Sequence, residues 1–162
     1  EQLRKTDALK TGRLIYAACV LGCIAASADE RQFDSAKNYA ENIGLAFQIK
    51  DDILDYSGTE SVGKPLGVDI LEQKITMPLL GAIAHAPAQE SRIRGLVKGI
   101  VDHPEYRDEI VTFVKENGGI EYARGRLNEY VEKAVHALDV IPDSQEKEFL
   151  VELAYFTARR DK

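Results

Sequence analysis

The chain has little cysteine, no apolar run long enough for a membrane and no excess of positive charge, and each shortage removes a class of protein. Its two cysteines, Cys19 and Cys23, lie four residues apart. On one helix they project side by side and are poorly placed for a disulfide, so they read as small buried thiols and point to a reducing, cytoplasmic setting. The longest stretch without a charge, Leu14 to Ala28, falls about five residues short of a bilayer span and is rich in Ala, Gly and Cys. It reads as a buried helix, not a transmembrane one. The formal net charge is -6, with acidic and basic residues interleaved, so there is no nucleic-acid footprint and any bound phosphate must be held locally. No alternating strand, hairpin turn pair, internal repeat or low-complexity segment occurs. His85, His103 and His136 are scattered without ligand spacing. No signal peptide is visible in these residues. The chain opens on Glu1-Gln2-Leu3-Arg4, with no initiator methionine and no capping signal, and is expected to continue from an upstream portion.

What is present is ordinary soluble composition and helical periodicity. With 162 residues, 44% apolar and 30% charged, the chain fits one domain with a hydrophobic core. The fold class expected is all-α. A first helix is expected from about Asp7 to Ala28, central in a bundle, with Ala17, Ala18, Gly22, Ala25 and Ala26 letting a neighbour approach closely. A second runs from about Asp34 to Tyr56, and Ser57 to Gly67 reads as an irregular loop. Asp69 and Glu72 look like a capping box opening a third helix, which Pro78 bends or interrupts and Pro87 ends. Helices over about 88–101 and 104–116 follow, stopped by Asn117-Gly118-Gly119. A long helix from Ile120 to Leu138 carries Ala123, Leu127, Val131 and Ala134 at helical spacing. The last, capped by Ser144, runs from Gln145 to about Arg160 with Phe149, Leu150, Leu153 and Phe156 on a common face.

The residues that carry chemistry cluster on the second helix. At about 100 degrees per residue, Asp51, Asp55 and Asp52 fall at about 0, 40 and 100 degrees, with Gly44 and Gln48 in the same stripe. Three carboxylates this close repel one another, and no Lys or Arg follows at i+3 or i+4 to relieve them. The flanking Leu45-Ala46-Phe47 and Ile53-Leu54 are apolar, so the cluster faces the core and needs a cation. Hard oxygen donors without His or Cys suit magnesium, with manganese as the alternative. A calcium cage would take more oxygens from a turn. Positive charge stands nearby in sequence: Lys64 in the loop, Lys74 beyond it and Lys10 where the first helix opens. Cations, donor side chains and bridging metal together are what a diphosphate requires.

In this order the segments Lys10-Thr11-Gly12, Gly44 to Asp55 with its Phe47-Gln48 pair, Gly63-Lys64-Pro65-Leu66-Gly67-Val68-Asp69-Ile70 and Lys74-Ile75-Thr76-Met77-Pro78 resemble the trans-isoprenyl diphosphate synthases of the polyprenyl synthetase family. The likeness covers almost the whole chain and matches the C-terminal half of a single all-α synthase domain, with Ser144 to Arg160 similar to the closing helix. It implies an isoprenoid synthase-type helical bundle acting as a homodimer. The implied reaction joins isopentenyl diphosphate to an allylic prenyl diphosphate, elongating an all-trans chain. On that resemblance Asp51, supported by Asp52 and Asp55, holds magnesium, and Lys10, Lys64 and Lys74 grip the allylic diphosphate. Thr11 and Gln48 line the pocket, and Arg159, Arg160 and Lys162 close over isopentenyl diphosphate. Lys64 and the three aspartates are the residues expected to be catalytic. Overall similarity favours a medium or long-chain product, near octaprenyl.

The family's first aspartate-rich motif is expected upstream, since no second Asp-Asp-x-x-Asp occurs here. The 162 residues alone are therefore expected to be inactive. Two other readings compete. A class I terpene cyclase also ionises diphosphates, although its second metal motif usually mixes Asn, Ser or Thr and Glu. A non-catalytic subunit of a heteromeric prenyl synthase would keep the fold, but would have no need of a costly acidic cluster.

Overall fold

The computed structural model describes residues 11–57 and 67–160. Among them are eight α-helices and no strand: α1 Thr11–Ala25, α2 Glu30–Ser57, α3 Val68–Leu71, α4 Met77–His85, α5 Glu90–Gly99, α6 Tyr106–Glu116, α7 Gly119–Ala137 and α8 Gln145–Arg159. Short 3-10 turns follow α4 and α7 at Pro87–Gln89 and Leu138–Val140. No helix of the described residues is long and apolar enough to cross a membrane. The chain divides into two compact units, one formed by the segments up to Lys50 and from Arg126 on, the other by Asp51–Gly125. Helix α2 runs unbroken through the boundary.

In the first unit, α2 buries Tyr39, Ile43, Ala46 and Ile49, α7 buries Leu127, Val131 and Ala134, and α8 buries Ala154. These are the stripes that helical spacing predicts. Polar atoms tie the helices at their ends: Ser35 Oγ donates to the Ala137 carbonyl, and Tyr39 Oη donates to the Leu150 carbonyl at 2.8 Å. Burial pushes the Tyr39 phenol up to about 12, so it stays a donor. Helix α2 starts earlier than its periodicity suggests because Asp29 and Gln32 form a capping box: Gln32 N donates to Asp29 Oδ1 at 2.8 Å and Asp29 N to Gln32 Oε1 at 3.1 Å. That pair satisfies two amides the helix would otherwise leave open.

The expectation of a central, buried α1 does not hold. Leu14, Leu21 and Ile24 are 74%, 65% and 62% exposed. Helix α1 does approach α2 closely, but at Gly12, where a Cβ on Gly44 would come within 2.8 Å of the Gly12 Cα. Gly22, one of the small residues expected to admit a neighbour, faces open space. Small residues permit close approach without locating it. On α8, Phe149, Leu153 and Phe156 are likewise exposed, so their shared apolar face is not part of this unit's core.

In the second unit, Tyr56, Ile70, Leu79, Ile93, Ile110 and Val114 anchor one hydrophobic cluster. Helix α6 packs on α3, α4 and α5. Of the two outcomes expected near Pro78, a bend or an interruption, the structure shows the interruption, which divides the helix into α3 and α4. Asp69 does not cap it, because Gly67 occupies the N-cap position with φ 74 and Asp69 lies inside the four residues of α3. Gln73 then takes φ 58 and Thr76 is extended at φ -87, ψ 170, with Pro78 in the first turn of α4. A left-handed residue followed by an extended one ends a helix, and proline starts the next more readily than it bends one.

Candidate active site

The acidic segment forms the last two turns of α2, and its carboxylates reach different places. Asp52 is 3% exposed, while Asp51 and Asp55 are half-buried. Asp52 Oδ2 accepts the Met77 amide at 3.1 Å. Met77 is the first residue of α4, and the Thr76 side chain makes no capping bond there. Its Oγ1 pairs instead with the Tyr56 hydroxyl at 3.0 Å. Asp52 thus supplies, from another helix, the acceptor and the negative charge that a helix start favours. Burial holds the Tyr56 phenol well above its ordinary range, so this hydroxyl stays protonated.

Asp55 grips the next turn with both oxygens. Oδ1 accepts Val68 N at 3.1 Å and Oδ2 accepts Asp69 N at 3.2 Å, while the Asp55 carbonyl accepts Gly67 N at 2.9 Å. Burial pushes the Asp55 carboxyl up, and the Asp69 charge adds to this, against the lowering effect of the amide bonds. A carboxylate raised in this way is costly to ionise in the folded protein, and a nearby cation relieves that cost. Beyond the turn, Lys74 Nζ donates to Asp69 Oδ1 at 2.7 Å and also pairs with Glu72. Those bonds hold the ammonium well above its ordinary range. Asp51 takes part in neither of the aspartate-to-amide contacts.

Of the residues the sequence singled out, the structure gathers Asp51, Asp52, Asp55 and Lys74 within the second unit. Gln48 is buried on α2 just ahead of them. Lys10, Lys64 and Lys162 lie outside the described residues, and Thr11 opens α1 without a described side chain. Arg159 is exposed, with Nε donating to the Tyr155 carbonyl at 3.4 Å. Arg160 lies in the first unit, its guanidinium carbon 3.8 Å from the centroid of the Phe47 ring and Nη2 donating to the Phe47 carbonyl at 3.2 Å. The residues missed from sequence are Tyr56, Asp69, Glu72, Thr76 and the Met77 amide. Asp69 and Glu72, flanking Lys74, were a readable charge signal. The amide had none.

Among the described residues no group of three or more His, Cys, Asp and Glu side chains is arranged as a ready metal cage. Magnesium takes one or two protein carboxylates in phosphate-binding sites, and the donor set here is hard oxygen throughout.

The stacked Arg160 gives a direct test of how the last helix is fastened. Arg160→Ala is expected to lower stability by about 1–2 kcal/mol, and Arg160→Lys to recover only part, because a flat guanidinium stacks where an ammonium does not. Thermal denaturation of the two variants would show it. A melting temperature unchanged in Arg160→Ala would contradict the latch.

The polyprenyl synthetase profile matches residues 1–114. The chain belongs to the polyprenyl synthetase family. Polyprenyl synthetase relatives include the octaprenyl diphosphate synthase of Haemophilus influenzae, 36% identical over 94% of this chain and 46% of its own length. The heptaprenyl diphosphate synthase component 2 of Geobacillus stearothermophilus is 32% identical over 94% and 47%. Among solved structures, geranylgeranyl pyrophosphate synthase from Bacteroides thetaiotaomicron superposes with a TM-score of 0.85 at 31% identity, covering 98% of this chain and 51% of that one. The polyprenyl synthase of Caulobacter crescentus, complexed with calcium and isoprenyl diphosphate, gives 0.78 at 31%, covering 92% and 46%. The fold class is therefore that of the isoprenoid synthase bundles, all-α as periodicity indicates. The chain spans about half the length of the curated relatives it matches.

Proposed function

We propose that the whole protein is a trans-polyprenyl diphosphate synthase, a transferase that joins isopentenyl diphosphate to an allylic prenyl diphosphate, and that these residues supply its second acidic clamp. The observation that supports this most is the braced triplet: two aspartates are fixed by backbone amides, and Asp51 shares their helix end in a family member. In the reaction the allylic C–O bond breaks and diphosphate leaves with the electron pair. The double bond of isopentenyl diphosphate then forms the new C–C bond at the allylic carbon, and a proton passes to the departing diphosphate. Magnesium, or manganese, supplies neutralisation of the leaving charge. Asp51 would hold the metal, with Asp52 and Asp55 in support. Lys74, with Lys10 and Lys64, would orient the allylic diphosphate, Thr11 and Gln48 line its pocket, and Arg159 and Arg160 stand on the isopentenyl side. A homodimer in the cytoplasm belongs to the same proposal and rests on the family.

The relatives range from geranylgeranyl to decaprenyl synthases, so product length is a proposal too: medium to long, near octaprenyl. Incubating the full-length protein with labelled isopentenyl diphosphate, an allylic diphosphate and magnesium should move label into an extractable linear chain. A cyclised product would instead establish a terpene cyclase. Turnover only on adding a second, different chain would establish a heteromeric component.

A further inference from the structure

Asp55 stands third in the acidic triplet and shares its stripe with Asp51, which by spacing alone makes it a metal ligand. The geometry gives its carboxylate another occupation. Each oxygen accepts one backbone amide, Val68 N at 3.1 Å and Asp69 N at 3.2 Å, and the Asp55 carbonyl closes the arrangement on Gly67 N at 2.9 Å. The gripped turn is not one that the chain adopts by default. Gly67 sits at φ 74, and a Cβ there would come within 2.9 Å of the Arg107 side chain. Only glycine takes that backbone at little cost, and Asp55 holds it in place. The same turn fixes Asp69, whose Oδ1 receives the Lys74 ammonium at 2.7 Å.

We propose that Asp55 is a positioning residue: its carboxylate holds the Gly67–Asp69 turn and, through Asp69, sets the place of the Lys74 ammonium. The function of that placement rests on the synthase reading, in which Lys74 faces the allylic diphosphate. The brace itself does not. Asp55→Asn keeps the size and at most one of the two amide acceptors. Supporting contacts of this kind typically tune a site by about 10–100-fold.

The test uses the full-length protein with Asp55→Asn, Asp55→Ala and, for comparison, Asp51→Asn, each confirmed folded by circular dichroism. Hydrogen exchange of the peptide containing Val68 and Asp69 should accelerate by about tenfold or more in both Asp55 variants and not in Asp51→Asn. In steady-state assays Asp55→Asn should raise KM for the allylic diphosphate by about tenfold while the magnesium concentration for half-maximal rate stays within about twofold of the parent. Asp51→Asn should raise that magnesium requirement. Unchanged exchange in the Asp55 variants, or a magnesium shift in Asp55→Asn as large as in Asp51→Asn, would overturn the proposal. If the parent shows no turnover, the synthase reading fails while the exchange measurement still decides the brace.

Discussion

Asp51→Asn in the full-length protein is expected to cut prenyl transfer by about 10²–10³-fold in a variant that circular dichroism shows still folded. The change removes one negative charge and keeps the side-chain volume. It breaks neither of the amide contacts that fix α4 and the Gly67 turn, since those belong to Asp52 and Asp55. Lost activity with a retained fold is the signature of a group working on the substrate side. Incorporation of labelled isopentenyl diphosphate at rising magnesium reads the effect, and excess metal should restore part of the rate. Wild-type turnover by the variant would remove Asp51 from the metal site and the triplet from the mechanism.

Leu79→Ala should have the largest effect on stability, about 2–5 kcal/mol. Leu79 is fully buried in the second unit's core, two residues beyond the Met77 amide that Asp52 accepts. Truncation leaves a cavity under the start of α4 that the packed neighbours fill only in part. With total stability of about 5–15 kcal/mol for a protein of ordinary size, such a loss is a large share. Chemical denaturation of the full-length variant measures it. An effect under about 1 kcal/mol would mean that α4 is free to settle into the gap, and that its N-terminus is not the rigid support the Asp52 contact implies.

Helix content and the acidic stripe were legible in the sequence because both are local. Periodicity at Leu127, Val131 and Ala134 locates a buried face without knowledge of the partner, and the spacing of Asp51, Asp52 and Asp55 places them on one helix end. Three things were hidden, each for a physical reason. Where Val68–His85 divides into α3 and α4 depends on Gln73 adopting a left-handed backbone, which propensity does not favour. The exposure of Leu14, Leu21 and Ile24 is hidden because an apolar stripe announces that it will be covered, not by what. The roles of Asp52 and Asp55 depend on backbone amides, and every residue but proline has one, so no side-chain pattern marks which will be used.

The Asp55 brace and the Arg160 latch also differ in what they ask of the chain. Asp55 reaches Val68 across 13 positions, whereas Arg160 reaches Phe47 across 113. Closure entropy grows with the logarithm of loop length, which makes the brace about 2 kcal/mol less demanding to close. During synthesis from the N-terminus, both ends of the brace have left the ribosome long before Arg160 is made. The corner that carries the acidic cluster is thus a short-range assembly, able to form before the long-range contact that fastens the final helix exists.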